Sequence, residues 1–322
     1  MLFRSVVMDK TGTLTTGHPS VVEIQALGDA DRHESLALAA AVEAASEHPL
    51  ARAVVAAASD VSADPVRPAA EVRAIAGRGV TGRVEGRSVE VGSPRWYHGP
   101  GPVEAGGTAV RPETGRPAGS DLASGLTQIV TAVDGVPVLL MGIEDPVRPG
   151  AQSGVAKLRS MGIRVVMATG DVYDVAGRVA GEVGVDEVYA ELSPGGKVEL
   201  VEQLRGRNGT VAMVGDGIND AAALAAADVG IAIGTGSGLA LAAADITLVH
   251  GDVGAVADAL ALSRATRRVI WQNLGWAFGY NLALIPLAAL GILPPMLAAV
   301  AMATSSVTVV LNALRLRRFS LP

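Results

Sequence analysis

The chain contains no cysteine. That excludes disulfides, zinc ribbons, thiolate metal sites and cysteine nucleophiles. Its five histidines, at 18, 33, 48, 98 and 250, show no metal-ligand spacing. Aromatic residues make up only 3% and charged residues 18%. With 26 Lys and Arg against 32 Asp and Glu, the formal net charge is −6. A nucleic-acid binder carries a basic excess, so no nucleic-acid partner is expected. The N-terminal apolar run is too short for a signal peptide. No G-x-x-x-x-G-K-[ST] phosphate loop occurs. What is abundant is apolar: 49% hydrophobic residues and a mean hydropathy of +0.37. Such a chain is not disordered, and 322 residues suffice for two or three domains and a sizeable core.

The apolar residues are unevenly spread. From Val269 to Leu314 no charged residue occurs over 46 positions. A spanning helix needs about 20 apolar residues, so the run fits two helices. Gly291 to Pro295 supplies the turn between them, because proline restricts itself and the residue before it. Arg264, Arg267 and Arg268 precede the run and Arg315, Arg317 and Arg318 follow it. The positive-inside tendency puts both ends in the cytoplasm. A buried helical hairpin of a soluble protein is the bland alternative. Tyr280, Asn281, Met302, Ser305 and Ser306 are polar or soft groups within the run, and the last three share one helical face. They either bond helix to helix or line a permeation path.

Elsewhere the pattern predicts a strand at 3–8, helices within 31–58 broken at His48-Pro49, and a hairpin within 71–92 turning at Glu85-Gly86-Arg87. A Gly/Pro-rich loop spans 99–120, and two strands within 127–143 meet at Asp134-Gly135. From about 145, helices (151–161, 172–183, 197–203, 220–226) alternate with strands (163–168, 187–190, 210–214, 229–233, 246–249). That alternation predicts a doubly wound parallel sheet. The strand at 3–8 belongs to it, which makes the mixed segment between them an insertion. The expected boundaries are 1–20 and 143–263 for the parallel-sheet domain, 21–142 for the insertion and 264–318 for the hairpin.

Ligands of open α/β sheets bind beyond the carboxyl ends of the strands. Three strands here end in Asp9-Lys10-Thr11, Thr169-Gly170-Asp171 and Gly215-Asp216-Gly217-Ile218-Asn219-Asp220, and a helix begins at Lys197. Carboxylates supply a nucleophile and hard ligands for Mg²⁺, while lysine and threonine offset charge on a transferring phosphoryl group. Glycines let backbone amides approach phosphate. Each cluster alone is common; the set points to phosphoryl transfer. Gly77-Arg78-Gly79-Val80-Thr81-Gly82 matches G-x-G-x-x-G, but strand-like sequence follows where a dinucleotide site needs a helix.

The sequences D-K-T-G-T-L-T at 9–15, T-G-D at 169–171 and G-D-G-I-N-D at 215–220 together resemble the P-type ATPases, within the haloacid-dehalogenase-like fold. The resemblance covers nearly the whole chain. It implies ATP and Mg²⁺, with Asp9 the phosphorylated nucleophile and Lys10 and Thr11 supporting the phosphoryl group. It further implies that Asp9, the Thr11 carbonyl and Asp216 hold Mg²⁺, and that Thr169, Gly170, Asp171, Lys197, Asn219 and Asp220 complete the phosphate site. Asp145-Pro146 looks like the family's hinge. Ser46-Glu47-His48-Pro49-Leu50 resembles the heavy-metal class, which implies that Glu43, His48, Gly77, Gly79 and Gly92 surround the nucleotide. Read alone, His48 is only a helix-end histidine. Tyr280-Asn281 and Met302-x-x-Ser305-Ser306 resemble the last two helices of Cu(I)-transporting members, so Cu(I) or Ag(I) is the implied cargo, across the plasma membrane.

The chain also departs from the family. No actuator domain, upstream helices or Cys-Pro-Cys site is found in it, and two helices cannot enclose a transport path. A further polypeptide supplying those parts is therefore expected; a split subunit, a misassigned start and a remnant are the three readings. Ser93 stands where the family commonly has Asn, and 234–242 lacks acidic residues usual there. A membrane-anchored phosphatase and a nucleotide-binding regulatory partner are the alternatives. The related phosphatases carry a second Asp as general acid two residues after the nucleophile, where this chain has Thr11.

Overall fold

A computed structural model describes residues 3–61, 67–75, 78–94, 122, 124–216, 220–234, 242–249, 252–292 and 294–318. The chain forms two units, Phe3–Asp252 and the segment from Val253 onward.

The first unit opens with β1 (Ser5–Asp9), followed by one wide turn at Lys10–Leu14. An inserted lobe then runs through β2 (Ser20–Ala26), α1 (Arg32–Glu43), α2 (Pro49–Val61), β3 (Ala70–Ile75), β4 (Gly79–Val84), β5 (Arg87–Gly92), β6 (Thr127–Val133) and β7 (Val136–Glu144). The remainder alternates: α3 (Ala151–Ser160), β8 (Arg164–Ala168), α4 (Tyr173–Val183), β9 (Glu187–Tyr189), α5 (Pro194–Asn208), β10 (Val211–Gly215), α6 (Ala221–Ala226), β11 (Val229–Ile233) and β12 (Ile246–Leu248).

β1 pairs in parallel with β8 on one side and β10 on the other, within the order β12-β11-β10-β1-β8-β9. Val6, Val7, Met8, Val165, Val166, Met167 and Val211 to Val214 are buried without exposure. Such unbroken apolar strands suit a parallel sheet covered on both faces. Asp9 lies level with Ala168, so Thr169 follows one step beyond. The strand order reverses at β1, with β8 on one side and the later β10 on the other, and the crevice at that switch point lies beyond Asp9.

The inserted lobe is an antiparallel sheet, β2-β7-β6-β5-β4-β3. Leu36, Val42 and Val54 from α1 and α2 share a core with Val84, Val89, Leu139, Met141 and Ile143 of the strands. Both expected hairpins form. Asp134 and Gly135 have φ of 50° and 79°, and Glu85 and Gly86 have 51° and 85°. Two successive positive-φ residues make the two-residue turns whose twist suits antiparallel strands. The β2 strand was not anticipated; its mostly half-buried residues carry a weak apolar signal, and pairing with β7 holds it. The expected loop at 99–120 lies outside the described residues.

Where the chain crosses between lobes, Asp145 acts as a clasp. Its Oδ2 lies 2.6 Å from the Thr15 hydroxyl, and its Oδ1 accepts from the Thr16 hydroxyl (3.2 Å) and the Gly17 amide (3.0 Å). The Thr16 amide donates to the Pro146 carbonyl, and the Arg148 amide to that of Leu14.

The second unit is two helices, α7 (Val253–Ala289) and α8 (Pro295–Leu314), with a 3₁₀ turn at Arg315–Arg318. The helical run begins at Val253 and passes through Arg264 to Pro286. Gly291, at φ 71°, lies in the turn between the helices, as the sequence predicts. Asn312 Nδ2 donates to Asn273 Oδ1 (2.9 Å) and Gln272 Oε1 (3.2 Å), so the helices run antiparallel. Trp271, Phe278, Leu282, Ile285, Met296 and Val300 are exposed. Among the described residues one helix, Met296–Arg318, is long and apolar enough to cross a membrane.

Asp145→Ala removes the acceptor of the half-buried Thr16 hydroxyl and Gly17 amide, while the buried Thr15 hydroxyl keeps the Lys10 carbonyl as its acceptor. We expect it to lower the unfolding free energy by about 1–3 kcal/mol in urea titration, with Asp145→Asn costing less because one acceptor oxygen survives.

Candidate active site

Loop 10–14 must fold back against the end of β10, and Gly12 makes that possible. Its φ is +73°, and a Cβ there would stand 1.7 Å from Asp216 Oδ2. Asp9, Lys10, Thr169, Lys197 and Asp220 are all buried, at 7% exposure or less. Lys197 lies in the first turn of α5, whose cap Ser193 accepts from the Gly196 amide. Its Nζ lies 2.5 Å from Asp9 Oδ1 and 2.6 Å from Asp220 Oδ1. Lys10 Nζ pairs with Asp171 Oδ2 at 2.5 Å, and the Thr169 hydroxyl donates to the same oxygen at 2.9 Å. The backbone of Asp171 donates back to Thr169 Oγ1. Gly170 stands between these two residues in the turn after β8. Thr11 is exposed in the loop beside them. Asn219 lies outside the described residues.

Asp9, Asp216 and Asp220 each place an oxygen within 4.8 Å of the others. Burial pushes the Asp9 carboxyl up to about 7, with the Asp220 charge adding and Lys197 opposing. Burial likewise raises Asp216. For Lys197 burial works against the charge, but the Asp9 and Asp220 carboxylates outweigh it and the group is raised. Crowded oxygen donors that resist ionisation without a cation are a donor set for a hard divalent ion such as Mg²⁺.

Arg148 is a site residue that the sequence reading missed. Its Nη2 donates to the Gly12 carbonyl at 2.6 Å, and its charge lowers Asp216 against the effect of burial. The signal available was its place three residues after Asp145, in the stretch that returns to the parallel sheet.

A second constellation lines a cavity of about 640 Å³ in the inserted lobe and at its boundary with the first sheet. Glu43, His48, Gly79 and Gly92 lie on its wall, together with Gly170 and Asp171. Gly77 lies outside the described residues. Gly79 pairs with Gly92 across β4 and β5, and a Cβ on Gly79 would stand 2.1 Å from the Val91 carbonyl oxygen. His48 Nδ1 accepts from the Leu50 amide at 3.2 Å. Burial and then Arg52 lower its pKa, so the neutral ring with Nε2 protonated is favoured. Burial pushes the Glu43 carboxyl up to about 7. The segment after Gly77 is strand β4 rather than a helix, which disposes of the dinucleotide reading.

A family model for haloacid dehalogenase-like hydrolases matches residues 3–228. The chain belongs to the haloacid dehalogenase-like hydrolase family. Its relatives within that fold are P-type ATPases of the heavy-metal class. The copper-exporting P-type ATPase of Mycobacterium tuberculosis is 47% identical over 98% of this chain and 40% of its own length. The probable copper-transporting ATPase PacS of Synechococcus elongatus is 46% identical over 98% and 42%. A zinc-transporting PIB-type ATPase solved in its E2.Pi state superposes with a TM-score of 0.71 at 35% identity, over 98% of this chain and 50% of that one. The catalytic domain of the CPx-ATPase CopB-B gives 0.60 at 31% identity, over 80% and 88%. The chain thus spans about two fifths of the length of the curated relatives it matches.

In this haloacid dehalogenase-like chain the candidate cargo residues all belong to the second unit. Tyr280 and Asn281 are on α7, and Met302, Ser305 and Ser306 are on α8. Counting about 1.5 Å per residue from the Asn312–Asn273 bond puts Ser305 level with Tyr280. The Ser306 hydroxyl donates to the Met302 carbonyl of its own helix at 3.2 Å. Met302 is 69% exposed.

Gly12→Ala should fold yet lose metal-dependent activity by at least about 100-fold, because the Cβ displaces Asp216; a Mg²⁺ titration of activity checks it. Glu43, with its pKa raised from 4.5 to about 7, binds a proton in the folded state that the unfolded chain has already lost. Its burial therefore costs stability increasingly as pH rises from about 4.5 to 7. Relative to the parent, Glu43→Gln should raise Tm more at pH 8 than at pH 5.

Proposed function

We propose that this chain forms the phosphorylation and nucleotide-binding part of a P-type ATPase that moves Cu(I) across a membrane. The observation that carries the reading is Asp9, buried between Lys197, Asp220 and Asp216, with no acidic side chain two positions further on. A carboxylate oxygen of Asp9 attacks the γ-phosphorus of ATP. The new bond is Asp9 Oδ–P; the bond from that phosphorus to the β,γ-bridging oxygen breaks, and ADP leaves with the electron pair. Lys197 offsets charge on the transferring group, and Thr169 and Lys10, tied through Asp171, hold the other edge of the phosphate site. Bound Mg²⁺ supplies further charge neutralisation; Asp9, Asp216 and the Thr11 carbonyl would hold it.

The cavity supports this reading, because Asp171 belongs both to its wall and to the Lys10 pair beside Asp9. Glu43, His48, Gly77, Gly79 and Gly92 take the adenosine and Gly170 and Asp171 the phosphates. Thr11 cannot donate a proton as a carboxylic acid does. That favours a persistent aspartyl phosphate over a phosphatase, which must turn its intermediate over rapidly.

The cargo assignment rests on two supports. The named relatives include a copper exporter, and the Met302 thioether is a soft ligand suited to Cu(I) and, equally, Ag(I). Tyr280, Asn281, Ser305 and Ser306 complete the proposed cargo path. The actuator function and the remaining helices come from segments other than the one described, in the same or a partner polypeptide. The arginines flanking 269–314 orient both ends of the hairpin to the cytoplasm, with the plasma membrane the proposed location.

Acid-quenched labelling with γ-phosphate-labelled ATP and Mg²⁺ tests the reading. A hydroxylamine-sensitive label is expected, absent in Asp9→Asn and reduced at least about 100-fold in Lys197→Ala. A folded, ATP-binding chain that takes no label, even with the rest of the pump supplied, would favour the regulatory-partner reading instead.

A further inference from the structure

Arg178 takes no part in the phosphate site, yet it ties the two lobes of the first unit together. It stands on α4, seven positions after Asp171. Its Nε donates to the Gly125 carbonyl at 3.1 Å, and its Nη1 pairs with the Glu144 carboxylate. Gly125 has a φ of +85°, and a Cβ there would meet Arg178 Cδ at 2.8 Å, so the arginine stem lies flat on that glycine.

The partners are informative. Gly125 and Leu126 form one wall of the nucleotide cavity and lead into β6. Glu144 ends β7 and adjoins the clasp residue Asp145. Both belong to the inserted lobe. α4 belongs to the parallel-sheet lobe, and its Asp174 and Val175 lie on the cavity's other wall, just after Gly170 and Asp171. One guanidinium therefore grips the insertion at its cavity wall and at its exit strand. The fork geometry of arginine allows both bonds at once; lysine could make only one of them well.

We propose that Arg178 is a latch that holds the nucleotide lobe closed over Asp9, and hence a positioning residue for phosphoryl transfer from ATP. The proposal rests on the reading of Asp9 as the phosphorylated residue. Arg178 and Glu144 side chains are 29% and 31% exposed. Water reaches such a pair, so it can open and reclose during a catalytic cycle, as a fully buried pair could not. Opening releases ADP; closing sets the γ-phosphorus against Asp9.

Two measurements on the full chain test this. The first compares labelled ATP with labelled acetyl phosphate, a small donor that reaches Asp9 without holding adenine in the cavity. Arg178→Ala should raise the ATP concentration for half-maximal labelling about five- to twenty-fold, with acetyl phosphate labelling unchanged within about twofold. Arg178→Lys should recover part of the loss, and Glu144→Gln should resemble Arg178→Ala in weaker form. Equal slowing with both donors, or no change with either, overturns the latch. The second measurement needs no chemistry. Because the chain has no cysteine, Ser59→Cys on α2 and Ser160→Cys on α3 give a clean pair for spin labels, both on exposed positions. One narrow distance is expected, broadened by Arg178→Ala; identical distributions overturn the latch. A parent chain that takes label from neither donor, even with the rest of the pump supplied, refutes the proposed function, and the distance measurement then decides only whether Arg178 holds the two lobes together.

Discussion

Four carboxylates converge on one crevice at the ends of β1, β8 and β10, and in the absence of a cation they would repel one another. Lys197 and Lys10 make the convergence possible. Lys197 bridges Asp9 and Asp220 from the first turn of α5, and Lys10 reaches across to Asp171. Two ammonium groups and the Arg148 guanidinium against four carboxylates still leave a deficit of positive charge, so burial, helped by the neighbouring carboxylates, prevails and raises Asp9 and Asp216. That deficit has a chemical use. On the proposed reading a divalent ion would fill it, and the ion and the lysines together would then balance the four carboxylates, so that a negatively charged phosphoryl group could approach Asp9.

On the proposed reading, the remainder of the first unit serves to bring a nucleotide to that point. The insertion leaves the parallel sheet directly after the nucleophile loop and returns directly before α3, so both crossing strands pass beside Asp9. Asp145 binds the two strands side by side through Thr15, Thr16 and Gly17, and Arg148 reaches from the returning strand to the Gly12 carbonyl. Hydrogen bonds thus tie the crossing strands directly to the loop at 10–14.

Much of this was legible from residues alone. The parallel strands read as short apolar runs because both their faces are covered, and the turns at 85–86 and 134–135 read from local chemistry. The clusters at 9–11, 169–171 and 215–220 were legible as chemistry because each follows such a run. The β2 strand escaped notice, since an edge strand with half-buried residues has no sharp periodicity. Arg148 and Arg178 escaped for a different reason. Surface and half-buried arginines are common, and nothing in the local sequence of α4 says that a guanidinium will meet Gly125 and Glu144, some 53 and 34 positions away.

The sequence by itself determined the class of chemistry, the α/β alternation and the long uncharged run, because these follow from residue type and short-range periodicity. Tertiary structure alone decided which carboxylates share a lysine, that Gly12 must be glycine for Asp216 to fit, and that the cavity wall and the Asp9 site meet at Asp171. Those facts depend on the strand order β10-β1-β8 and on the fold of the insertion, and strand order is a long-range choice that no local pattern encodes.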